Sequence, residues 1–433
     1  MSSASVSEFA ATGRAPGLRI VLTGTYNSAN KGDAAMELGA LNAIRDSAPD
    51  SQVTILSPFP GLDAPFYAPV SVRRCNRRNL VAATLDLVRA AIWRLLFGRS
   101  RRPNALLSEP LRLVNDADLV IDLSGDMLTD EYGPHVAYSH YVPLLRALVM
   151  GKPYFICAQS LGPFNWTRPL ARWLLRRAAE VTVRDSISRR YVAAMGVRRQ
   201  APEQTADLAF LLCAAAPGRT LEILRREWGF EPAGKPILGI SVSQLIEGKY
   251  KAARTDADDD AFVRMMRRVV VRTAREWGAR VIFVAHVTGP SRIKDDRVIA
   301  ARIADGIGAE VETKVLAGDY RPEELKAIIA TCRVFCGARM HANISALSSG
   351  VPTVAISYSH KTEGIMSDFG MGDFVVSAAT ITEASLGALL SRAFREREAI
   401  ALQLRERGPA MAALALRNFA GLRQLARPHE AEP

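Results

Sequence analysis

The sequence predicts an α/β protein of two doubly wound domains, each built on a parallel sheet covered by helices on both faces. Three observations carry this. Short apolar runs rich in β-branched residues recur without polar alternation, as strands buried on both faces of a parallel sheet do. Stretches with helical apolar spacing separate them. The pattern breaks once, near residues 214–235, and then restarts.

The first run, "LRIVLTG" (Leu18 to Gly24), ends in glycine. The loop "TYNSANKG" follows, and then "DAAMELGALNAIRD", where Leu38, Leu41 and Ile44 fall at helical spacing. "VTILSP", "LVIDLSG", "PYFICAQSLG" and "EVTVRD" are the next strands, with helices such as "RPLARWLLRRAAE" between them. Past the break, the amphipathic "RTLEILRREWGF" leads through "EPAGKP" into the strands "ILGISVS", "RVIFVAH", "RVFCG" and "TVAISY". "EELKAIIATC" is one of the helices between those strands. The tail "REREAIALQLRERGPAMAALALRNFAGLRQLA" reads as a long amphipathic helix pair able to pack back across the domains. The expected division is a disordered lead (1–17), a first domain (18–215), a second domain (236–400) and C-terminal helices with a tail (401–433).

One stretch does not fit a sheet. "NLVAATLDLVRAAIWRLLFGRSRRP" (Asn79 to Pro103) is an apolar helix interrupted by Asp86, Arg89 and Arg94, closed by an arginine cluster and a proline. A basic, aromatic-tipped amphipathic helix can lie on an anionic membrane surface. A core helix with a solvated end has the same pattern, and the sequence leaves both readings open. There is no uninterrupted apolar run of about 18 residues, so no spanning helix is expected. The N-terminal "MSSASVSEFAATGRAPG" lacks the apolar centre of a signal peptide. The expectation is a cytoplasmic protein, peripheral at the inner membrane face on the first reading of that helix.

With 433 residues, 48% hydrophobic and 23% charged, the chain can bury more than one core. Its net charge of +12 points to an anionic partner without choosing among phosphate compounds, acidic glycans, membranes and nucleic acid. Aromatic residues make up only 7% and do not interleave with the basic ones, so the stacking component of nucleic-acid binding is missing and no nucleic-acid partner is expected. The five cysteines are an odd count in a long chain, which fits a reducing compartment; Cys332 and Cys336 read as buried strand residues. The acidic "TDADDD" precedes a helix, where carboxylates favour the helix dipole, so no metal site is assigned to it.

Ligands of doubly wound sheets collect beyond the carboxyl ends of the strands. After the first strand stand Asn27, Asn30, Lys31 and Asp33, with Asp33 placed to cap the next helix and the helix start open to an anion. The loop is neither a Walker loop nor a Gly-x-Gly-x-x-Gly fingerprint. After "LVIDL" come Ser124, Gly125 and Asp126; the carboxylate suits a sugar hydroxyl, or forms a turn. Gln159 and Ser160 follow "YFICA". Arg184 follows "EVTV", where it is expected to point its bidentate fork into the crevice, free for a carboxylate or phosphate. In the second half, His286, the pair Arg339 and His341, and His360 with Lys361 follow successive strands. Arg184, His286, Arg339, His341 and Lys361 together predict a cationic cleft for a compact, multiply charged anion. No metal-ligand spacing and no cofactor motif are present.

The segments "NSANKGDAAM", "AQSLGPF", "TVRDSIS", "TADLAFLL" and "GARMHANISALSSGVPTVAISYSHKTEGIMSDFG" resemble the polysaccharide pyruvyltransferase family, in the family's order, over residues 18 to about 376. The most specific part is Arg-x-His followed by Gly-Val-Pro and Tyr-x-x-Lys. The resemblance implies two Rossmann-like domains facing each other across a cleft, as in GT-B glycosyltransferases. It implies phosphoenolpyruvate as donor, a sugar hydroxyl pair of a polysaccharide or glycan precursor as acceptor, and a cyclic pyruvate ketal as product. The family's donor-holding residues fall on Arg184, Arg339 and His341. On this chemistry His341 is the general acid and Asp33 or Asp126 the general base. Arg184, Arg339 and Lys361 hold the donor, supplemented by His286, and Asn27 and Ser160 join substrate binding. A membrane-lying 79–103 helix would suit a lipid-linked acceptor. The chain has Ala34 where the family often has glutamate, and Ser124-Gly125-Asp126 where it usually has Gly-Gly; both departures lie on the expected acceptor side. Two alternatives stand beside this. One is a nucleotide-sugar glycosyltransferase using Glu363 for the ribose; the other is a binder without turnover.

Overall fold

The computed structural model describes residues 17–76, 79–98, 107–197, 202–229, 234–255, 258 and 260–422. Residues 1–16 of the expected N-terminal lead (1–17), the arginines at 99, 101 and 102, the His360 side chain and the tail beyond 422 lie outside the described residues.

Two parallel sheets form. The first contains β1 (Arg19–Thr23), β2 (Gln52–Ser57), β3 (Ser71–Arg74), β4 (Leu119–Asp122), β5 (Tyr154–Gln159), β6 (Glu180–Val183) and β7 (Glu203–Gln204), in the order β3-β2-β1-β4-β5-β6-β7. The second contains β8 (Ile237–Ser241), β9 (Arg280–Phe283), β10 (Thr313–Val315), β11 (Val334–Gly337), β12 (Thr353–Ser357) and β13 (Val375–Ser377), in the order β10-β9-β8-β11-β12-β13. All neighbours are parallel. Side chains alternate between the two buried faces. Val21 joins the cluster under one helical layer, while Ile20 and Leu22 join the cluster under the other. In β9, Val281 and Phe283 face one core and Ile282 the other.

The sequence pattern identifies every interior strand and misses β3, β7, β10 and β13, the four edges. An edge strand has one flank unpaired and needs no continuous apolar run; "SVRR", "EQ", "TKV" and "VVS" are short and only partly buried. The helix Lys31–Ser47 starts earlier than expected. Asn30, not Asp33, is its cap, with Asn30 Oδ1 accepting from Gly32 N, and Asp33 Oδ2 instead accepts from Tyr26 N at 2.8 Å.

The strand order reverses between β1 and β4 in one sheet and between β8 and β11 in the other, so crevices open beyond both points. The halves are joined there by backbone: Lys31 N donates to His286 O (2.8 Å) and Thr288 N to Ala29 O (2.9 Å). The helix Arg397–Leu416 runs on from the second half back to the first. Beyond it, buried Asn418 accepts from Thr182 and Thr205 through Oδ1 and donates to Ala206 O through Nδ2. Among the described residues no helix is long and apolar enough to cross a membrane.

Candidate functional site

Two contiguous cavities lie between the sheets' crevices. The larger, about 680 Å³, is lined from the first half by Tyr26, Asp126, Tyr132, Ser139 and His140 among others, and from the second by Gln244, Leu245, Lys294 and Arg339. The smaller, about 90 Å³, is lined by Asp33, Asp126, His286, Arg339, His341, Tyr358 and Lys361 among others. Asn30, Asp33, Asp126, Arg339 and Tyr358 border both.

Arg339 is the extended residue before the helix Met340–Ser348, which places His341 in that helix's first turn. The Arg339 side chain is fixed from one side: Nε and Nη2 donate to the two oxygens of Asp296 at 2.9 and 2.7 Å. His341 Nε2 lies 3.5 Å from Asp207 Oδ2. Its Nδ1 side is pressed against Gly32, where any Cβ would overlap the ring. That close approach accounts for the glycine in "NKGD".

Lys361 reaches across the interface. Its Nζ donates to Asp126 O (3.1 Å) and pairs with Asp126 Oδ2 (3.3 Å) and Glu131 Oε2 (3.5 Å), and it is buried. Burial raises the Asp126 carboxyl, but the charges of Lys361 and Arg184 and the Tyr132 hydroxyl outweigh it and bring it down to about 2. Burial, and after it the Asp126 charge, pushes the Tyr358 hydroxyl up to about 12.

The structure corrects several expectations. Arg184 does not offer a free fork. It is buried, its Nη1 donates to Asp207 Oδ2 (2.7 Å) and its Nε to Ser160 Oγ (2.9 Å), and only Nη2 is left without a partner. It lines neither cavity. Ser160 is fully buried, accepting from Arg184 and donating to Asp185 Oδ2, and Asn27 uses Oδ1 to accept from Ala29 N and Asn30 N. Neither lines either of these cavities; Asn27 fixes the backbone at Asn30, which does, and Ser160 holds Arg184 behind them. His286 is no cation: burial, then the charges of His341, Arg339 and Lys31, pushes its ring down to about 3. Nor is the cleft simply cationic. Arg184 pairs with Asp207, Arg339 with Asp296, Lys361 with Asp126, and Lys31 with Asp319. A charge removed from water is tolerated when it is paired and hydrogen-bonded.

Sequence reasoning missed Asp207 and Asp296, the carboxylates that hold Arg184 and Arg339. Asp207 lies within "TADLAFLL", a quoted segment whose acid drew no role; Asp296 is 43 residues from its arginine and carries no local signal. It also missed the hydrogen-bonded chain in the first half in which His140 Nδ1 meets Ser124 Oγ (3.0 Å), which donates to Asp122 Oδ1 (3.0 Å).

Two facing Rossmann-like domains with cavities between the carboxyl ends of their sheets define a GT-B-type enzyme fold. Solved structures share it. They include the putative UDP-N-acetylglucosamine 2-epimerase from Listeria monocytogenes (TM-score 0.59, 11% identity, 94% of this chain and 96% of that one). The UDP-GlcNAc 2-epimerase from Neisseria meningitidis bound to UDP-GlcNAc is similar (TM-score 0.59, 10% identity, 94% and 100%). So is Anabaena HepE in complex with UDP and glucose (TM-score 0.58, 13% identity, 94% and 100%). At these identities the likeness shows the fold alone. The chain belongs to the polysaccharide pyruvyl transferase family, whose model matches residues 30–360. A curated relative, the amylovoran biosynthesis protein AmsJ of Erwinia amylovora, is 25% identical over 407 residues, covering 89% of this chain and 94% of its own length.

Proposed function

We propose that the protein moves the pyruvyl group of phosphoenolpyruvate onto two hydroxyls of a sugar in a polysaccharide or its precursor, giving a cyclic ketal and inorganic phosphate. The observation that carries this is the small cavity in which Arg339, His341 and Lys361 meet Asp33 and Asp126, opening directly into a cavity large enough for sugar rings. A compact dianion fits the first and a glycan the second. Arg339, with two nitrogens committed to Asp296, presents a rigid guanidinium to the donor.

In this reading His341 gives a proton to the methylene carbon of the donor as a first hydroxyl oxygen bonds to the neighbouring carbon and loses its proton. The carbon–oxygen bond to phosphate then breaks as the second hydroxyl oxygen bonds to that carbon, the second hydroxyl's proton returns to His341, and phosphate departs as the leaving group. Arg339 and Lys361 receive the developing phosphate charge. Asp126, a carboxyl held at about 2, has little proton affinity, so this reading gives the base role to Asp33 on its place in the cavity. Asp126 instead steadies Lys361. Arg184 acts from behind, on Asp207 and through its charge on Asp126. Glu363, which the nucleotide-sugar alternative needs at the ribose, is exposed, accepts from Ser357 Oγ and lines neither cavity.

The test is phosphate release from phosphoenolpyruvate in the presence of candidate glycans, with mass spectrometry of the glycan for the pyruvate increment. Release that needs the glycan and is lost in His341→Ala and Arg339→Ala is the expected result. Full activity in both variants overturns the assignment.

A further inference from the structure

We infer that the outer face of the helix Leu80–Phe97 is a docking surface for an anionic lipid bilayer. The helix has two opposed faces. Ala83, Asp86, Ala90 and Trp93 are buried, with Asp86 tied to buried Arg146 at 2.8 Å. Opposite them, Val81, Leu85, Val88, Ile92, Leu95 and Leu96 are exposed, Val81 by 71% and Leu95 by 85%. At 3.6 residues per turn these six fall within about 100° of arc, a continuous apolar stripe rather than scattered residues.

The charge around the stripe selects the occupant. The only acid in the helix, Asp86, faces inward, and exposed Arg89 flanks the stripe. The sequence immediately before the helix adds Arg77 and Arg78, and that immediately after it adds Arg99, Arg101 and Arg102. The sequence on either side of the helix is basic, so a second copy paired through this face would bring like charge to the contact in either orientation. An anionic bilayer takes the apolar stripe into its interfacial layer and the arginines among its headgroups.

The placement also serves the cleft. The helix packs on Pro134–Val149, with Thr84 Oγ1 and Tyr138 OH 2.8 Å apart, and that second helix lines the larger cavity through Val136, Ser139 and His140. The acceptor side therefore stands one helix away from the membrane. On the pyruvyl-transfer reading, this suits a glycan carried on a lipid.

The test is co-sedimentation of the full chain with vesicles of phosphatidylglycerol and phosphatidylcholine, against phosphatidylcholine alone, at low and high salt. The reference variant is Leu85→Asp/Leu95→Asp, whose sites are exposed and compatible with folding. The wild type is expected to bind the anionic vesicles, about tenfold less at high salt or without the anionic lipid, and the variant about tenfold less again. Equal binding by wild type and variant, or no binding by the wild type, overturns the inference. So does a wild-type dimer that the variant converts to monomer, which would make a second copy the occupant. Phosphate release with a water-soluble glycan fragment, equal in wild type and variant, separates the two proposals. Vesicle binding without any phosphate release by the wild type would sink the pyruvyl-transfer reading and leave the docking surface standing.

Discussion

His341 Nε2 lies 3.5 Å from Asp207 Oδ2, the same oxygen that Arg184 Nη1 holds at 2.7 Å. One buried carboxylate thus faces a guanidinium on one side and the imidazole at the cavity on the other. Burial works to raise its pKa, but Arg184 and His341 overcome this and hold it well below the usual carboxylate range.

Removing that carboxylate leaves Arg184 buried without its partner. Asp207→Ala is expected to destabilise the fold by about 3–5 kcal/mol, whereas the paired replacement Arg184→Met/Asp207→Leu costs less than the single change. Urea unfolding of the three proteins checks this, and a double variant at least as unstable as Asp207→Ala would contradict it.

His341→Gln keeps the ring's approximate volume and its contact with Gly32 but cannot deliver a proton. Phosphate release is expected to fall by about 10²–10⁴-fold, while phosphoenolpyruvate still binds through Arg339 and Lys361. Single-turnover kinetics and a direct donor-binding measurement separate the two effects.

Gly32→Ala is a sharper probe, because alanine favours a helix over glycine by up to about 1 kcal/mol. The added Cβ meets the His341 ring, so the ring must move. The expected outcome is an activity loss of about tenfold or more with thermal stability nearly unchanged. An alanine variant with wild-type turnover would show that His341's position is not critical.

Glu37, buried behind Asp33 on the same helix, has its carboxyl pushed up to about 7 by burial, which its hydrogen bond from Thr25 only partly offsets. Between the unfolded value of 4.5 and 7, the folded protein holds a proton that the unfolded chain has lost. Stability from this group is therefore complete at low pH and declines as pH rises through that window, by about 3 kcal/mol. Glu37→Gln removes the dependence. Chemical unfolding from pH 5 to 8 should show the wild type losing stability relative to the variant; a constant difference would refute the assignment.

Much of this was legible in the residues. The interior strands announce themselves because a strand buried on both faces must be apolar throughout, as "RIVLT" and "RVIF" are. The edges "SVRR" and "TKV" did not, because half their surroundings is solvent. Arg339, His341, Asp33, Asp126 and Lys361 were each identified from their position after a strand, and they line one small cavity. Arg184, Ser160 and Asn27 were identified by the same rule and lie behind the cavities. Position after a strand determines the end of the sheet a residue reaches, but not whether its side chain turns inward.

The sequence by itself determined two parallel-sheet halves, placed the candidate site at the carboxyl ends of their strands, and supplied residue types able to hold an anion. These depend on local periodicity and on short motifs, which a single stretch of chain contains. Only the tertiary structure decided which cation meets which carboxylate, that His286 is neutral, and that the 80–97 helix leaves seven large apolar side chains exposed, six of them in one stripe. Ion pairing and desolvation depend on groups tens to hundreds of residues apart, such as Lys361 and Asp126, and their distances exist only once the chain has folded.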